Sequence, residues 1–392
     1  MKPSAEFDVV VYGASGFTGR LVAEYLSQKY GVGGDVKWAM AGRSADKLAA
    51  VRDEIGAPAD TPLVVADAND PASLKAMVER TKVVLTTVGP YQLYSGPLVA
   101  ACVETGTDYV DLCGEPAWMA KMIDQHQAAA EDSGARIVFS CGFDSIPFDL
   151  GVYYLQDAAR DKLGGPVPRV KGRMRKMRGE FSGGTAASFQ ATMAAAGEDP
   201  SVIEALRNPF ALTPGFEGPE QPKGDKPEFD EALNSWAGPF VMAVINTRNI
   251  HRSNFLMGHP YGTDFVYDEM MLTGPGDEGE AFAKAAGEAG GAMLGPDAPK
   301  PGEGPDKASR DAGYYDAMFV GLAKDGRTVV ASVAADEDPG YGSTSKMIAE
   351  AAITLAENTA TKGGLWTPAA ALGHPLVHRL QTNAGLTFKV ES

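Results

Sequence analysis

The sequence predicts an α/β fold: a doubly wound parallel sheet at the N-terminal end, followed by an α+β domain with a mixed or antiparallel sheet. Three observations predict it. Apolar runs of strand length alternate with helix-period stretches from residue 7 to about residue 150. Those runs are continuous rather than alternating, as in strands covered on both faces. Beyond them the strand-like runs lengthen, and two of them flank the turn signal Lys324-Asp325-Gly326.

The first run, Phe7 to Tyr12, stops at Gly13. Residues 17–30 then place Leu21, Val22, Tyr25 and Leu26 on one helical face. Lys37 to Ala41 reads as a strand, Asp46 to Ile55 as a helix and Pro62 to Ala66 as a third strand. Asp70-Pro71 opens a helix with Leu74, Met77 and Val78 as its buried stripe, and Lys82 to Val88 is a strand that ends at Gly89-Pro90. Helices at 96–105 and 116–133 and strands at Tyr109–Leu112 and Arg136–Ser140 complete the first pattern. Further on, Val170–Phe181, Phe240–Arg248, Asp264–Thr273, Ala317–Ala323 and Arg327–Ala335 read as strands, with few helices between them. Residues 213–230 and 295–307, rich in Pro, Gly and charge, read as loops. Ser343 to Thr361 is helical in period, with Met347, Ile348, Ala351, Ala352 and Leu355 on one face. The expected division is 1–150 for the first domain, 151–336 for the second, and 337–392 for a segment that returns to the first.

The chain of 392 residues is long enough for two cores. Acidic residues outnumber basic ones by 51 to 35, a net charge of −16. That balance repels nucleic acid and anionic membrane surfaces, so neither is expected as a partner. No stretch of about 18 apolar residues suggests a membrane span, and no leader-like apolar core precedes the first strand. Cys102, Cys113 and Cys141 are few and not in metal-ligand spacing, and the five histidines are scattered. No metal site is expected, the thiols read as small buried groups, and a reducing cytoplasm fits them.

The segment Gly13-Ala14-Ser15-Gly16-Phe17-Thr18-Gly19 lies between the first strand and the first helix. In that context it reads as the phosphate loop of a Rossmann domain. Gly13 permits the turn, Gly16 lets a pyrophosphate approach the backbone, and Gly19 lets the helix sit close to the sheet. The free N–H groups at the helix start, with the Ser15 and Thr18 hydroxyls, would face the phosphates. The bland alternative is a glycine-rich turn with no ligand. An NAD-binding protein usually carries an acidic residue at the end of the second strand; here Ala41-Gly42-Arg43-Ser44 stands instead. Arg43 could hold a 2′-phosphate and Ser44 could donate to it, which points to NADP, although Arg43 also reads as a plain surface cation. Asp67-Ala68-Asn69 would lie near the adenine, or Asn69 or Asp70 would cap the next helix. Gly89, Pro90 and Tyr91 follow the fourth strand, where the nicotinamide half would lie.

Candidates for proton transfer are Tyr91, Tyr94 and Asp144, with Asp111, Glu115 and Ser145 nearby in sequence. The carboxylates also read as helix or turn caps. Arg173, Arg175, Lys176 and Arg178 along one strand form either an anion site or a solvated face. His251, His259 and Tyr261, placed on a loop, would line a substrate mouth or serve packing.

The chain resembles the saccharopine dehydrogenase-like oxidoreductases, and within them the trans-acting enoyl reductases. The resemblance rests on the glycine loop, Ala41-Gly42-Arg43, Gly89-Pro90-Tyr91, the stretch Tyr109 to Glu115 and Cys141-Gly142-Phe143-Asp144-Ser145-Ile146-Pro147. Later matches are Ser182-Gly183-Gly184-Thr185, Pro301-Gly302-Glu303-Gly304-Pro305, Asp338-Pro339-Gly340-Tyr341-Gly342 and Thr367-Pro368-Ala369. It implies NADP(H) and a two-domain reductase with a returning C-terminal segment. Three readings of function stand, the first favoured by the cofactor loop together with this resemblance and the other two kept as alternatives. The first is NADPH-dependent reduction of an apolar or carrier-linked acyl substrate. The second is oxidoreduction at a C–N bond, and the third is a non-catalytic NADP(H)-binding regulator. A homodimer through the second domain is also expected.

Overall fold

The computed structural model describes residues 5–287, 295, 297–300 and 302–392. Residues 288–294, part of the expected 295–307 loop (296 and 301) and with it Pro301 of the Pro301–Pro305 motif lie outside the described residues, as do residues 1–4.

The first half alternates strands and helices. They run β1 (Phe7–Tyr12), α1 (Phe17–Tyr30), β2 (Trp38–Gly42), α2 (Ala45–Glu54), β3 (Leu63–Val65), α3 (Pro71–Val78) and β4 (Thr81–Thr86). Then come α4 (Tyr91–Tyr94), α5 (Gly96–Thr105), β5 (Asp108–Val110), α6 (Pro116–Ser133), β6 (Arg136–Val138) and α7 (Ile146–Leu163). The second half has β7 (Arg169–Arg178), α8 (Gly183–Glu198), α9 (Pro200–Arg207), β8 (Glu228–Asp230), β9 (Ser235–Pro239) and α10 (Ala243–Leu256). It continues with β10 (Val266–Gly274), α11 (Gly276–Ala286), α12 (Lys307–Asp311), β11 (Tyr314–Leu322) and β12 (Thr328–Ala335). A tight turn at Pro339–Ser343 leads into α13 (Thr344–Glu357), β13 (Gly364–Trp366), α14 (Pro368–Asn383) and β14 (Thr387–Val390).

Among the described residues the strands form two seven-stranded sheets. The first is parallel throughout, in the order β13-β6-β5-β4-β1-β2-β3. The chain starts at β1, moves outward to β3, then returns to pair β4 against the other side of β1. That reversal opens a crevice at the carboxyl ends of β1 and β4, where ligands of such sheets bind. Both faces of β1 are buried, which explains its continuous apolar run. Val9 and Val11 belong to one core and Val10 and Tyr12 to the other. The second sheet, β14-β12-β11-β7-β10-β9-β8, is mixed: β7 and β10 are parallel and the other pairs antiparallel.

The two halves share a core. Val9 and Val11 of the first sheet, Met347 and Ile348 of α13, and Phe319 and Val329 of the second sheet belong to one buried cluster. The C-terminal segment serves both halves, because β13 joins the first sheet and β14 the second. A boundary at 150 therefore falls inside α7. Gly151 of that helix lies so close to Phe319 of β11 that a Cβ would stand 2.3 Å from its ring.

The expected strand at Phe240–Arg248 is instead the start of a helix, α10. Its Val and Ile residues suggest a strand, but the helix buries Asn246, Arg248, Asn249, His251, Arg252 and Ser253 along with Ile245 and Ile250. A buried polar helix carries no hydropathy stripe for periodicity to detect. The second half also holds more helix than expected, in α8, α9 and α11.

Glu350 of α13, fully buried, ties three helices together. It accepts from Tyr25 (2.6 Å) and Tyr30 (2.5 Å) of α1, and from Arg379 (2.8 Å) and Asn383 (3.2 Å) of α14. Glu350→Ala strands these donors, a loss of roughly 3–5 kcal/mol in folding free energy. Urea denaturation checks this; a midpoint equal to wild type would rule out the tie.

Candidate active site

The phosphate loop has the shape its glycines imply. Gly13 has φ +93°, and a Cβ there would stand 2.8 Å from Thr87 and Val88. A Cβ on Gly19 would lie 2.1 Å from the Gly13 carbonyl oxygen. The Gly13 and Ala14 N–H groups both donate to the Ala41 carbonyl, at 2.9 and 3.1 Å, so they hold the loop and are not free for a ligand. Helix α1 begins with Gly16 as its N-cap and no side-chain cap, and its first return bond runs from the Arg20 N–H to the Gly16 carbonyl. Among the described residues the N–H groups of Phe17, Thr18 and Gly19 have no protein acceptor, and Gly16 presents no Cβ beside them. This cradle fits a pyrophosphate. The Phe17 side chain meets the Tyr341 ring edge-on at 5.1 Å. Ser15 faces Gly42, where a Cβ would lie 3.5 Å from its hydroxyl oxygen.

Arg43 follows directly after β2 and is exposed, with no hydrogen-bond or ion-pair partner among the described residues. The Tyr12 phenol gathers the neighbouring candidates: it feels the charges of Asp67 and Arg43 and the nearby Ala68 backbone. Burial, then Asp67, pushes its pKa up to about 12. Ser44 caps α2 by accepting from the Lys47 N–H at 3.3 Å, which leaves its own proton free to donate. Asp67 accepts from the Asn69 N–H at 2.9 Å, while Asp70, not Asn69, caps α3.

A cavity of about 460 Å³ opens beside the crevice. Thr18, Thr87, Gly89 and Tyr91 line it on the cofactor side, and Phe181, Phe189, Met193, Leu206, Met242 and Ile245 on the other. Its charged lining residues are Glu115, Asp144 and Glu180; no Lys or Arg among the described residues lines it. Asp144 has no hydrogen-bond partner among the described residues, and burial alone pushes its pKa up to about 7. It does not cap α7, whose N-cap is Ser145. The Ser145 hydroxyl accepts from Asn249 at 2.9 Å instead.

Tyr91 is buried, and its phenol accepts from the Leu112 N–H at 3.1 Å. Burial, then Asp111, holds its pKa well above the usual value, so the proton stays on. Tyr94 is not brought to the cavity. It closes the single turn of α4 on the outer surface and is 41% exposed. Asp111 is structural, accepting from the Cys113 and Ser140 N–H groups and the Tyr109 hydroxyl. Glu115 is a cap, but of α4 rather than of its own helix: it accepts from the Tyr91 and Gln92 N–H groups. The cations of β7 divide: Lys176 and Arg178 are exposed, as on a solvated face, while Arg173 and Arg175 are paired within the protein. Arg173 is buried on Asp268 at 2.6 Å, and Arg175 pairs with Asp316 and Glu391. His251 lies on α10 and not on a loop; burial pushes its pKa down to about 3. Neither it nor His259 nor Tyr261 lines the cavity. Cys102, Cys113 and Cys141 are buried and form no disulfide.

Two features escaped sequence reasoning. Helix α8, rich in Ala and Gly, supplies Thr185, Ser188, Phe189, Thr192 and Met193 to the cavity. Tyr341 anchors the start of α8: its phenol accepts from the Ser182 N–H and lies 2.9 Å from the Thr185 hydroxyl. The resemblance at Ser182–Thr185 and Asp338–Gly342 was the one signal for either.

The saccharopine dehydrogenase NADP-binding domain family matches residues 9–138. A Mycobacterium tuberculosis protein, a putative trans-acting enoyl reductase, is 41% identical over 98% of this chain and 97% of its own length. The trans-acting enoyl reductases of Mycobacterium ulcerans and Mycobacterium bovis are each 38% identical, over 96% of both chains. In fold, the chain is similar to the saccharopine dehydrogenase (L-Glu forming) of Saccharomyces cerevisiae, with a TM-score of 0.55 at 13% identity over 98% of this chain and 100% of that one. With NADP as its cofactor, the chain belongs to the saccharopine dehydrogenase-like oxidoreductases, in the trans-acting enoyl reductase family.

Proposed function

We propose that the protein uses NADPH to reduce the C=C bond of an apolar or carrier-linked α,β-unsaturated acyl group, with Asp144 as the proton donor. The cavity carries this reading: an apolar wall faces the expected nicotinamide side, with an unpartnered carboxyl group between them. NADPH supplies the hydride when bound. The apolar lining, with Phe189, Met242 and Ile245, seats the acyl chain. Asp144, protonated near neutral pH, gives its proton to the α-carbon as charge develops there, and regains one from solvent afterwards. Tyr91 shapes the cofactor-side floor and keeps its proton. The N–H groups at the start of α1 would hold the pyrophosphate, and Arg43 with Ser44 would hold the 2′-phosphate. The C–N reading lacks a cation for a substrate carboxylate, since Arg173 and Arg175 are engaged elsewhere. The buried thiols support a cytoplasmic setting. A homodimer belongs to the same proposal, and light scattering in solution reads it.

Losing the guanidinium removes a charge-assisted contact, so Arg43→Ala is expected to weaken NADPH binding roughly 10–100-fold and to leave NADH binding unchanged. Fluorescence titration with both nucleotides measures this, and equal behaviour of the two would refute the 2′-phosphate role.

Asp144→Asn is expected to cut kcat on an enoyl thioester by about 100-fold or more. In wild type, kcat should fall as pH rises through about 7, because the acid must be protonated. Stability moves with it. A folded-state pKa raised above the unfolded value means that the native state binds the extra proton, so stability declines as pH rises from about 4 to about 7. Asp144→Asn removes that penalty: its Tm should exceed wild type at pH 8 and equal it at pH 4. A flat pH–rate profile, or full activity in the Asn variant, would exclude Asp144 as the donor.

A further inference from the structure

We propose that Glu115 is a positioning residue that sets the separation between the cofactor-side turn at 89–92 and the substrate-side helix α8; this rests on the reductase reading above. Its side chain, 3% exposed, lies in the cavity lining that the two walls share. One oxygen accepts from the Tyr91 N–H at 2.9 Å and the other from the Gln92 N–H at 2.8 Å. The Ser188 hydroxyl of α8 acts on the same carboxylate and favours its charged form. A second link runs alongside it, from Gln92 Nε2 to the Thr192 hydroxyl at 3.2 Å.

Beyond the bonds at its start, from Ser182 to Tyr341 and from Gly183 to the Glu303 carbonyl, helix α8 has little else to fix its position. Its buried residues are Gly183 and Ala186, so apolar packing contributes little and hydrogen bonds decide where it lies. The fit beside it is close: a Cβ on Gly89 would stand 3.4 Å from the Ser188 hydroxyl oxygen. Glu115 itself is held on a rigid frame, because its carbonyl accepts from the Met119 N–H at 3.0 Å and Pro116 begins α6 directly after it. Gly89 lies where the nicotinamide is expected, and Phe189 and Met193 of α8 face the acyl group. A shift of either wall changes the distance between hydride donor and acceptor carbon, and misplacement by about 1 Å can lower the rate on the order of 100-fold.

Two variants and two readouts test this. Ser188→Ala removes the α8 link and leaves both backbone bonds of Glu115 in place. Glu115→Gln keeps the size of the side chain but turns one acceptor into a donor facing an N–H group. Hydrogen–deuterium exchange is followed in the cofactor-free protein, and steady-state kinetics with NADPH and an enoyl N-acetylcysteamine thioester. For Ser188→Ala we expect faster exchange in residues 183–198 but not in 91–94, unchanged NADPH affinity and a roughly tenfold loss in kcat/KM. For Glu115→Gln we expect faster exchange in both segments and a larger loss in kcat. If Ser188→Ala leaves α8 exchange at the wild-type level, or Glu115→Gln changes only 91–94, Glu115 is a cap of α4 and the proposal falls. Exchange is read without substrate, so inactivity of the wild type on the thioester would overturn the reductase reading separately.

Discussion

The site depends on how closely α1 approaches the end of β1. Gly19 touches the Gly13 carbonyl, and Gly13 itself is pressed against Thr87 and Val88 at the end of β4. No side chain fits at either contact. Because the backbone itself makes both contacts, the free N–H groups of the first helical turn are fixed relative to the crevice before any ligand arrives. Preorganised donors need no rearrangement on binding, and that favours tight pyrophosphate capture. The same closeness brings Phe17 out to meet Tyr341, so the cofactor loop also holds the turn that anchors α8.

The shared core turns this local constraint into a cavity. Helix α13 packs on the first sheet within the core that both sheets share, and β13 and β14 place the last part of the chain in both of them. The crevice is thereby roofed by α8 and α10, which supply Phe189, Met193 and Ile245 to its lining. An unpartnered carboxyl in such surroundings is destabilising once ionised. Proteins retain a group of this kind where function requires it, so the strain of Asp144 and its proposed role are two aspects of one arrangement.

What was legible in the sequence follows from where backbone and side-chain signals agree. The first sheet was legible because strands buried on both faces leave unbroken apolar runs, as at Val9-Val10-Val11, and because Gly13 and Gly19 are required by contacts that no other residue permits. The long strands β7, β10, β11 and β12 were legible for a similar reason. Helix α10 was not, since its buried face is made of Asn, Arg and His, with Arg248 and Arg252 satisfied by carbonyls far away in sequence, those of Ala205 and Leu212. Tyr94 shows the limit for single side chains: adjacency to Tyr91 in a one-turn helix does not decide which phenol faces inward. The bond of Glu115 to α4, 24 positions away, and that of Gln92 to Thr192 of α8, 100 positions away, are contacts no local pattern encodes.

A cavity of this chemistry should receive a hydride acceptor whose C=C bond is conjugated to an acyl carbonyl. NADPH oxidation by the purified protein in D2O reads this out, with an enoyl thioester compared against an α-keto acid plus an amino acid, followed by mass analysis of the product. Oxidation is expected with the thioester alone, giving a product that carries one solvent deuterium at the α-carbon. Oxidation only with the keto acid and amine, or a thioester returned unreduced, would overturn the reductase assignment.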